Sequence, residues 1–258
     1  MFENELKKAI EACQLVQPEI MAIYHSEFEV EIKDDHSPVT KADKMVDQMI
    51  RTYLSMHFPH DAFLTEESED NLERLNHDRV WIIDPIDGTK DFIGKDGEFA
   101  VHIALSFRHE IVVGVILAPV SNTLYYASKN TGAFKRVGDT IQQIHVNDKT
   151  TDLTAVVSRY HLRQKEKDVM AKYAQFITRQ VTIGASLKAC LLAEGQAEIS
   201  YRFSQGTKEW DLAPAQIIVE EAGGLVVKPD LTRYTYNRKD VYNREGYIIA
   251  NRKENIRL

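Results

Sequence analysis

The stretch Val80-Trp81-Ile82-Ile83-Asp84-Pro85-Ile86-Asp87-Gly88-Thr89 sets a short apolar run directly before two acids and a glycine. Residues 80–83 read as a buried strand ended by Asp84-Pro85. Asp84 and Asp87 stand three residues apart across a proline that stiffens the backbone where the strand ends. Gly88 permits a sharp turn, after which neighbouring amides can point at one spot, as in anion-binding turns. Hard oxygen donors of this kind suit Mg²⁺, which favours carboxylates, water and phosphate oxygens.

More carboxylates lie at a distance in the chain. Glu66-Glu67 follows the apolar stretch Ala62-Phe63-Leu64, and Trp210-Asp211 opens a helix. Taken singly, each acid has a structural explanation. Asp84 and Asp87 could close a turn, and Glu66-Glu67 could be a solvated face in the acidic run to Asp70. Asp211 could cap its helix, and Asp43 could be the reciprocal partner of Thr40 in a capping box. The joint arrangement is what favours a metal site over these readings.

Outward from this centre, Leu6, Ile10, Cys13, Val16, Ile20 and Ile23 recur at helical spacing, with a kink expected at Pro18. A second helix begins at Thr40 and carries the stripe Ala42, Val46, Met49, Ile50, Tyr53 and Leu54. Residues 99–107, 111–117 and 123–127 read as an antiparallel meander. Beyond the polar segment 147–152, strand and helix alternate. Strands are predicted at 154–157, 180–183, 198–201, 225–227 and 247–250, and helices at 163–177, 186–193 and 212–222. Gly223-Gly224 stops the last helix. The pattern predicts an α+β half over residues 1–150 and an α/β half over 151–258, tightly packed together.

The 258 residues are 43% hydrophobic and 28% charged, enough to bury a substantial core. A net charge of -7 argues against binding a nucleic-acid polymer, which needs a basic face. It does not exclude a small phosphorylated ligand, because a bound metal can reverse the local field. The N-terminal stretch has no uninterrupted apolar core, so neither a signal peptide nor membrane insertion is expected, and the cytoplasm is the expected location. Cys13 and Cys190 read as reduced, half-buried thiols. The nine histidines form no zinc-type spacing, which disfavours a zinc hydrolase.

The run Trp81-Ile82-Ile83-Asp84-Pro85-Ile86-Asp87-Gly88-Thr89, with Phe92 close behind, resembles the W-x-x-D-P-x-D-G-T signature of the inositol monophosphatase superfamily, the magnesium phosphatases. Trp210-Asp211 with Glu221-Ala222-Gly223-Gly224 is similar to its second signature. Val39-Thr40-Lys41-Ala42-Asp43 and the Glu66-Glu67 pair complete the set in family order over almost the entire chain. The resemblance implies a layered α-β-α-β-α sandwich of the sugar-phosphatase type. Within the superfamily, Lys90-Asp91-Phe92, Gly97-Glu98-Phe99 and Gly184-Ala185-Ser186-Leu187-Lys188 look most like the 3′(2′),5′-bisphosphate nucleotidases. Leu212-Ala213-Pro214 departs from that branch, where small residues usually follow the Asp.

The resemblance further implies roles. Glu66, Asp84 and the Ile86 carbonyl would hold one Mg²⁺, and Asp84, Asp87 and Asp211 a second; Glu67 is a candidate for a third, weaker ion. Such a pair can stabilise both the attacking water and the leaving oxygen of an in-line displacement. Thr89 and Asp43 would orient and deprotonate that water. Substrate contacts are implied for Glu66, Ile86, Asp87, Gly88, Thr89, Lys188 and Asp211, with the Gly88 and Thr89 amides on the scissile phosphate. Lys188 would take the second phosphate of a nucleotide, with Arg159 and His161 as weaker candidates; by spacing alone Lys188 is a solvated helix lysine.

The implied reaction removes the 3′-phosphate of adenosine 3′,5′-bisphosphate, with the sulfated analogue as a further substrate and sulfur assimilation as the setting. Inositol monophosphate, histidinol phosphate, fructose 1,6-bisphosphate and NADP are alternative substrates for the same chemistry. A non-catalytic nucleotide or metal sensor is the alternative of another class. The expected partner is a small phosphorylated nucleotide, and a homodimer is the one assembly considered.

Overall fold

The computed structural model describes residues 2–32 and 38–258. Two long helices open the chain, α1 (Glu3–Tyr24) and α2 (Lys41–His57), separated by the short strands β1 (Val30–Ile32) and β2 (Pro38–Thr40). Helix α1 continues through Pro18 to Tyr24. Helix α2 is capped as its sequence predicts: the Thr40 amide donates to Asp43 Oδ2 at 2.8 Å, and the Thr40 hydroxyl does so at 2.7 Å.

A seven-stranded sheet follows in simple order: β3 (Ala62–Thr65), β4 (Arg79–Asp87), β5 (Ala100–Phe107), β6 (Glu110–Ala118), β7 (Thr123–Ser128), β8 (Ala133–Val137) and β9 (Thr140–Ile144). Only β3 and β4 run parallel; every later neighbour is antiparallel. The short helix α3 (Thr89–Gly94) interrupts the sheet between β4 and β5. The meander is two strands longer than the sequence suggests. Strand β9 lies largely exposed at the sheet edge and β8 beside it is mostly half-buried, and neither carries a strong apolar run.

The rest of the chain builds a five-stranded sheet in the order β11 (Ile177–Ile183), β10 (Leu153–Ser158), β12 (Ile199–Arg202), β14 (Tyr247–Ala250), β13 (Leu225–Val227). Its helices are α4 (Gln164–Lys172), α5 (Leu187–Ala193) and α6 (Glu209–Glu221). Helix α4 is shorter than the predicted 163–177 because Ile177 already pairs with Leu153 of β10. Helix α6 begins at Glu209, three residues before the predicted start, because the Asp211 side chain turns back to cap the Lys208 amide.

Alternation along the strands distributes the core. Trp81, Ile83, Val101, Ile103 and Leu105 face Ala9, Val16, Ile20, Val46 and Ile50 of α1 and α2. Val80, Ile82, Ala100 and Ala104 face the opposite way, against α5 and α6, whose other side meets Val156, Val226 and Ile249 of the second sheet. Val169 and Met170 of α4 close the far face of that sheet. The layers are therefore α-β-α-β-α, as predicted. No helix among the described residues is long and apolar enough to cross a membrane.

Helix α6 presses on bare backbone where it crosses β6. A Cβ added at Gly114 would stand 2.5 Å from Ile217 Cγ2 and 2.8 Å from the Pro214 carbonyl oxygen. Gly114→Ala should therefore destabilise the protein by about 1–3 kcal/mol, the usual cost of overpacking a filled core. The urea midpoint checks this, and an unchanged midpoint would mean that α6 can lift off the sheet at little cost.

Candidate active site

The end of β4 is irregular where the acids lie. Asp84 pairs with His102 of β5, and Asp87 pairs with Ala100, with a register shift between them. Asp84 is buried, its Oδ1 accepting the Ile86 amide at 3.0 Å. Gly88 then takes φ +89°, the left-handed conformation that glycine adopts without strain, and the chain turns into α3. Glu66 follows β3, held by its amide to the Ile83 carbonyl at 3.2 Å. Asp211 arrives from the first turn of α6. Ligand atoms of Asp84, Asp87 and Asp211 all lie within 4.8 Å of one another.

These acids disturb one another. Burial first, then Glu66, Asp87, Asp211 and Asp43, push the Asp84 carboxyl well above the ordinary range. Burial, then Asp87 and Glu66, raise Asp211 to about 7. Asp87 goes the other way. Burial pushes it up, but His102, Lys188 and Ser186 outweigh that and hold it at about 2. The Ser186 amide and hydroxyl donate to Asp87 Oδ2 at 2.6 and 2.8 Å.

Asp43 and Thr89, distant in sequence, meet at this site. Thr89 Oγ1 stands 3.3 Å from Asp43 Oδ1 and 3.3 Å from the Ile86 carbonyl oxygen. Asp43 is therefore both a capping residue and a neighbour of the Thr89 hydroxyl. Burial raises its pKa, against the hydrogen bonds from Thr40.

The acids line a cleft of about 520 Å³. Lys90, His161, Arg163, Lys188, Arg202 and Lys208 line the rest of it, with Tyr242 and Tyr247. Burial, then Arg202, Lys90 and Lys188, depress His161 to about 4. Burial lowers Lys188 to about 8, although Asp87 opposes it. A cleft that joins carboxylates able to hold a cation with several basic residues fits an anionic ligand that binds beside that cation.

The profile of the inositol monophosphatase family matches residues 2–257. The chain belongs to the inositol monophosphatase family. Among its relatives, the 3′(2′),5′-bisphosphate nucleotidase CysQ of Salmonella typhimurium is 38% identical over 248 residues, covering 93% of this chain and 98% of that protein. The protein of the same name from Haemophilus influenzae is 34% identical over 236 residues, covering 90% and 87%. The crystal structure of CysQ from Bacteroides thetaiotaomicron, a bacterial member of the family, superposes with a TM-score of 0.85 at 31% identity, covering 98% and 99%.

Within this family member the cleft gathers Glu66, Asp84, Ile86, Asp87, Gly88, Thr89, Lys188, His161 and Asp211. Arg159 does not line the cleft itself but lies beside Asp91, which does, its Nε 3.9 Å from Asp91 Oδ1. Its guanidinium lies 2.6 Å from Glu98 Oε1 and 3.7 Å from Asp96, outside the cleft lining. Glu67 also falls outside that lining. Arg163, Arg202, Lys208, Tyr242 and Tyr247 were not foreseen. Each is an isolated residue at an element end or in a loop, and the one available signal was the basic residue closing the β12 run, Ile199-Ser200-Tyr201-Arg202.

Because the Asp84 pKa is raised, the folded chain holds that proton more tightly than the unfolded chain does. Stability of the metal-free protein therefore falls as pH rises through the folded pKa, and is most compromised above it. Asp84→Asn removes the repulsion. In chelator at neutral pH it should raise Tm by about 2–4 °C, equivalent to about 1 kcal/mol or more, and the gain should fade as the pH falls toward 4. A lower Tm at neutral pH would show that repulsion is not the dominant cost of burying Asp84.

Proposed function

We propose that the chain is a Mg²⁺-dependent phosphatase that removes the 3′-phosphate of adenosine 3′,5′-bisphosphate, giving AMP and phosphate. The observation that carries this reading is a single cleft lined both by the converging acids and by Lys90, Lys188, Arg202 and Lys208. The relatives named 3′(2′),5′-bisphosphate nucleotidase support it.

The donor set fits a hard divalent cation. Three carboxylates converge, and two of them have pKa values raised by their neighbours, a repulsion that a cation relieves. Glu66, Asp84, the Ile86 carbonyl, Asp87 and Asp211 would hold it. When bound, Mg²⁺ supplies charge neutralisation for the phosphate dianion and a more acidic water.

The chain's own residues supply positioning and proton transfer. The Thr89 hydroxyl can accept from a water while donating to Asp43 Oδ1, 3.3 Å away. Asp43 is suited to receive a proton because burial already raises its affinity for one. The water oxygen attacks phosphorus, the bond from phosphorus to the 3′ oxygen breaks, and that oxygen leaves opposite the attack, taking a proton from solvent to become the 3′-hydroxyl of AMP. The Gly88 and Thr89 amides would bind the transferred group. Lys188 and Arg202 would take the remaining phosphate, and Tyr242, whose ring lies under Lys208 Nζ, offers an aromatic surface in the same cleft for the base.

Adenosine 3′,5′-bisphosphate should show a higher kcat/KM than inositol 1-phosphate, and Lys188→Ala should reduce that preference by about one to two orders of magnitude while sparing simple monoesters. If inositol 1-phosphate is the better substrate, the nucleotide assignment is wrong. Chelation should abolish turnover and added Mg²⁺ should restore it.

Thr89→Ala should lower kcat by about 10²–10⁴-fold with little change in KM, because a group that orients water acts in the transition state. A change confined to KM would make Thr89 a binding residue only.

A further inference from the structure

Helix α6 carries a proline at the position where its first turn needs a donor. In an α-helix the carbonyl of Trp210 accepts the amide four residues on, and residue 214 is proline, which has none. The helix nevertheless runs unbroken from Glu209 to Glu221. The missing donor comes from the sheet beneath. His102 of β5 is fully buried, and its Nδ1 lies 3.0 Å from the Trp210 carbonyl oxygen. Its same-face neighbours Ala100 and Ala104 are small, as is Gly114 on β6, so the helix can come close enough for this contact.

The contact fixes the imidazole. A carbonyl oxygen only accepts, so Nδ1 carries a hydrogen and Nε2 faces away from the helix. Nε2 lies 3.2 Å from Asp87 Oδ2, an ion-pair contact when the ring carries hydrogen on both nitrogens, and it has no hydrogen-bond partner among the described residues. One rigid ring thus spans from Asp87, at the end of β4, to the peptide that leads into Asp211. Ser186 makes a parallel link, its hydroxyl lying 2.8 Å from Asp87 Oδ2 and 3.0 Å from the Asp211 carbonyl oxygen.

We infer that His102 is a positioning residue that sets the separation of Asp87 and Asp211, and that Pro214 creates the vacancy through which it does so. This rests on the proposal that Asp87 and Asp211 hold metal. Residues behind a metal ligand typically matter about 10–100-fold in affinity. His102→Leu should accordingly weaken calorimetric Mg²⁺ binding about tenfold or more, with kcat at saturating Mg²⁺ largely kept. His102→Gln, whose amide nitrogen can donate to the carbonyl while its oxygen offers Asp87 no donor, should keep the fold but bind Mg²⁺ as weakly as His102→Leu.

The double variant separates positioning from mere structure. Pro214→Ala restores the helix's own donor, so His102→Leu should destabilise the metal-free protein much less in that background. Mg²⁺ binding should stay weak there, because the link to Asp87 is still missing. Wild-type Mg²⁺ affinity in a folded His102→Leu protein, or its full recovery in the double variant, would overturn the inference. If His102→Leu does not fold, His102→Gln and the double variant decide on the same readouts. A wild type that binds no Mg²⁺ overturns the metal reading, and the positioning role with it. Binding that is lost in Asp84→Asn but unaltered by every His102 change overturns the positioning role alone.

Discussion

Four like-charged groups converge where β4 ends, and the surrounding fold holds them there against their repulsion. Glu66 comes from the loop after β3, Asp84 and Asp87 from the last residues of β4, and Asp211 from α6. No local sequence preference would bring them together. Their meeting depends on two sheets gripping the α5–α6 layer and on bonds that leave each carboxylate little freedom. The Ile86 amide holds Asp84, Ser186 holds Asp87, and the Lys208 amide holds Asp211. A cluster with such raised proton affinity is costly unless a cation completes it.

The cations across the cleft are arranged on the same principle with opposite sign. Lys188 and His161 have lowered pKa values because burial and basic neighbours disfavour further positive charge. An anionic ligand relieves the strain among these cations, as a bound cation relieves that among the acids. The two halves of the chain supply both sets: acids come from β4 and α6, and cations from α3, α5, β12 and the loops around them.

Much of this was legible in the sequence because the informative residues are clustered. The strand before Asp84, the turn at Gly88 and the capping pattern of Thr40 and Asp43 each carry a local physical signal. The layered order followed from a meander succeeded by alternation, reinforced by the family signatures. What escaped was long-range or weakly patterned. Strands β8 and β9 end the sheet where burial is incomplete and does not enforce an apolar pattern. Arg202 and Lys208 become site residues only once β12 and the start of α6 are brought together. His102 lies in an unbroken buried strand, Ala100 to Ser106, where a histidine among mostly apolar residues gives no hint of its partner. Pro214 showed in the sequence as a departure, but its consequence depends on which atom lies under the helix.

Helix α6 sits between the two sheets with almost its whole surface buried, Trp210 to Val219 being covered apart from Asp211. Most surface helices can fray into solvent without disturbing the core, and their amides exchange through such local openings. This one cannot, because releasing a turn would expose apolar surface on two sides. Its amide hydrogens should exchange with solvent only through opening of both sheets, on the timescale of whole-molecule unfolding. The segment bearing Asp211 would then belong to the most slowly exchanging part of the chain, whereas catalytic loops in many proteins are drawn from the least protected.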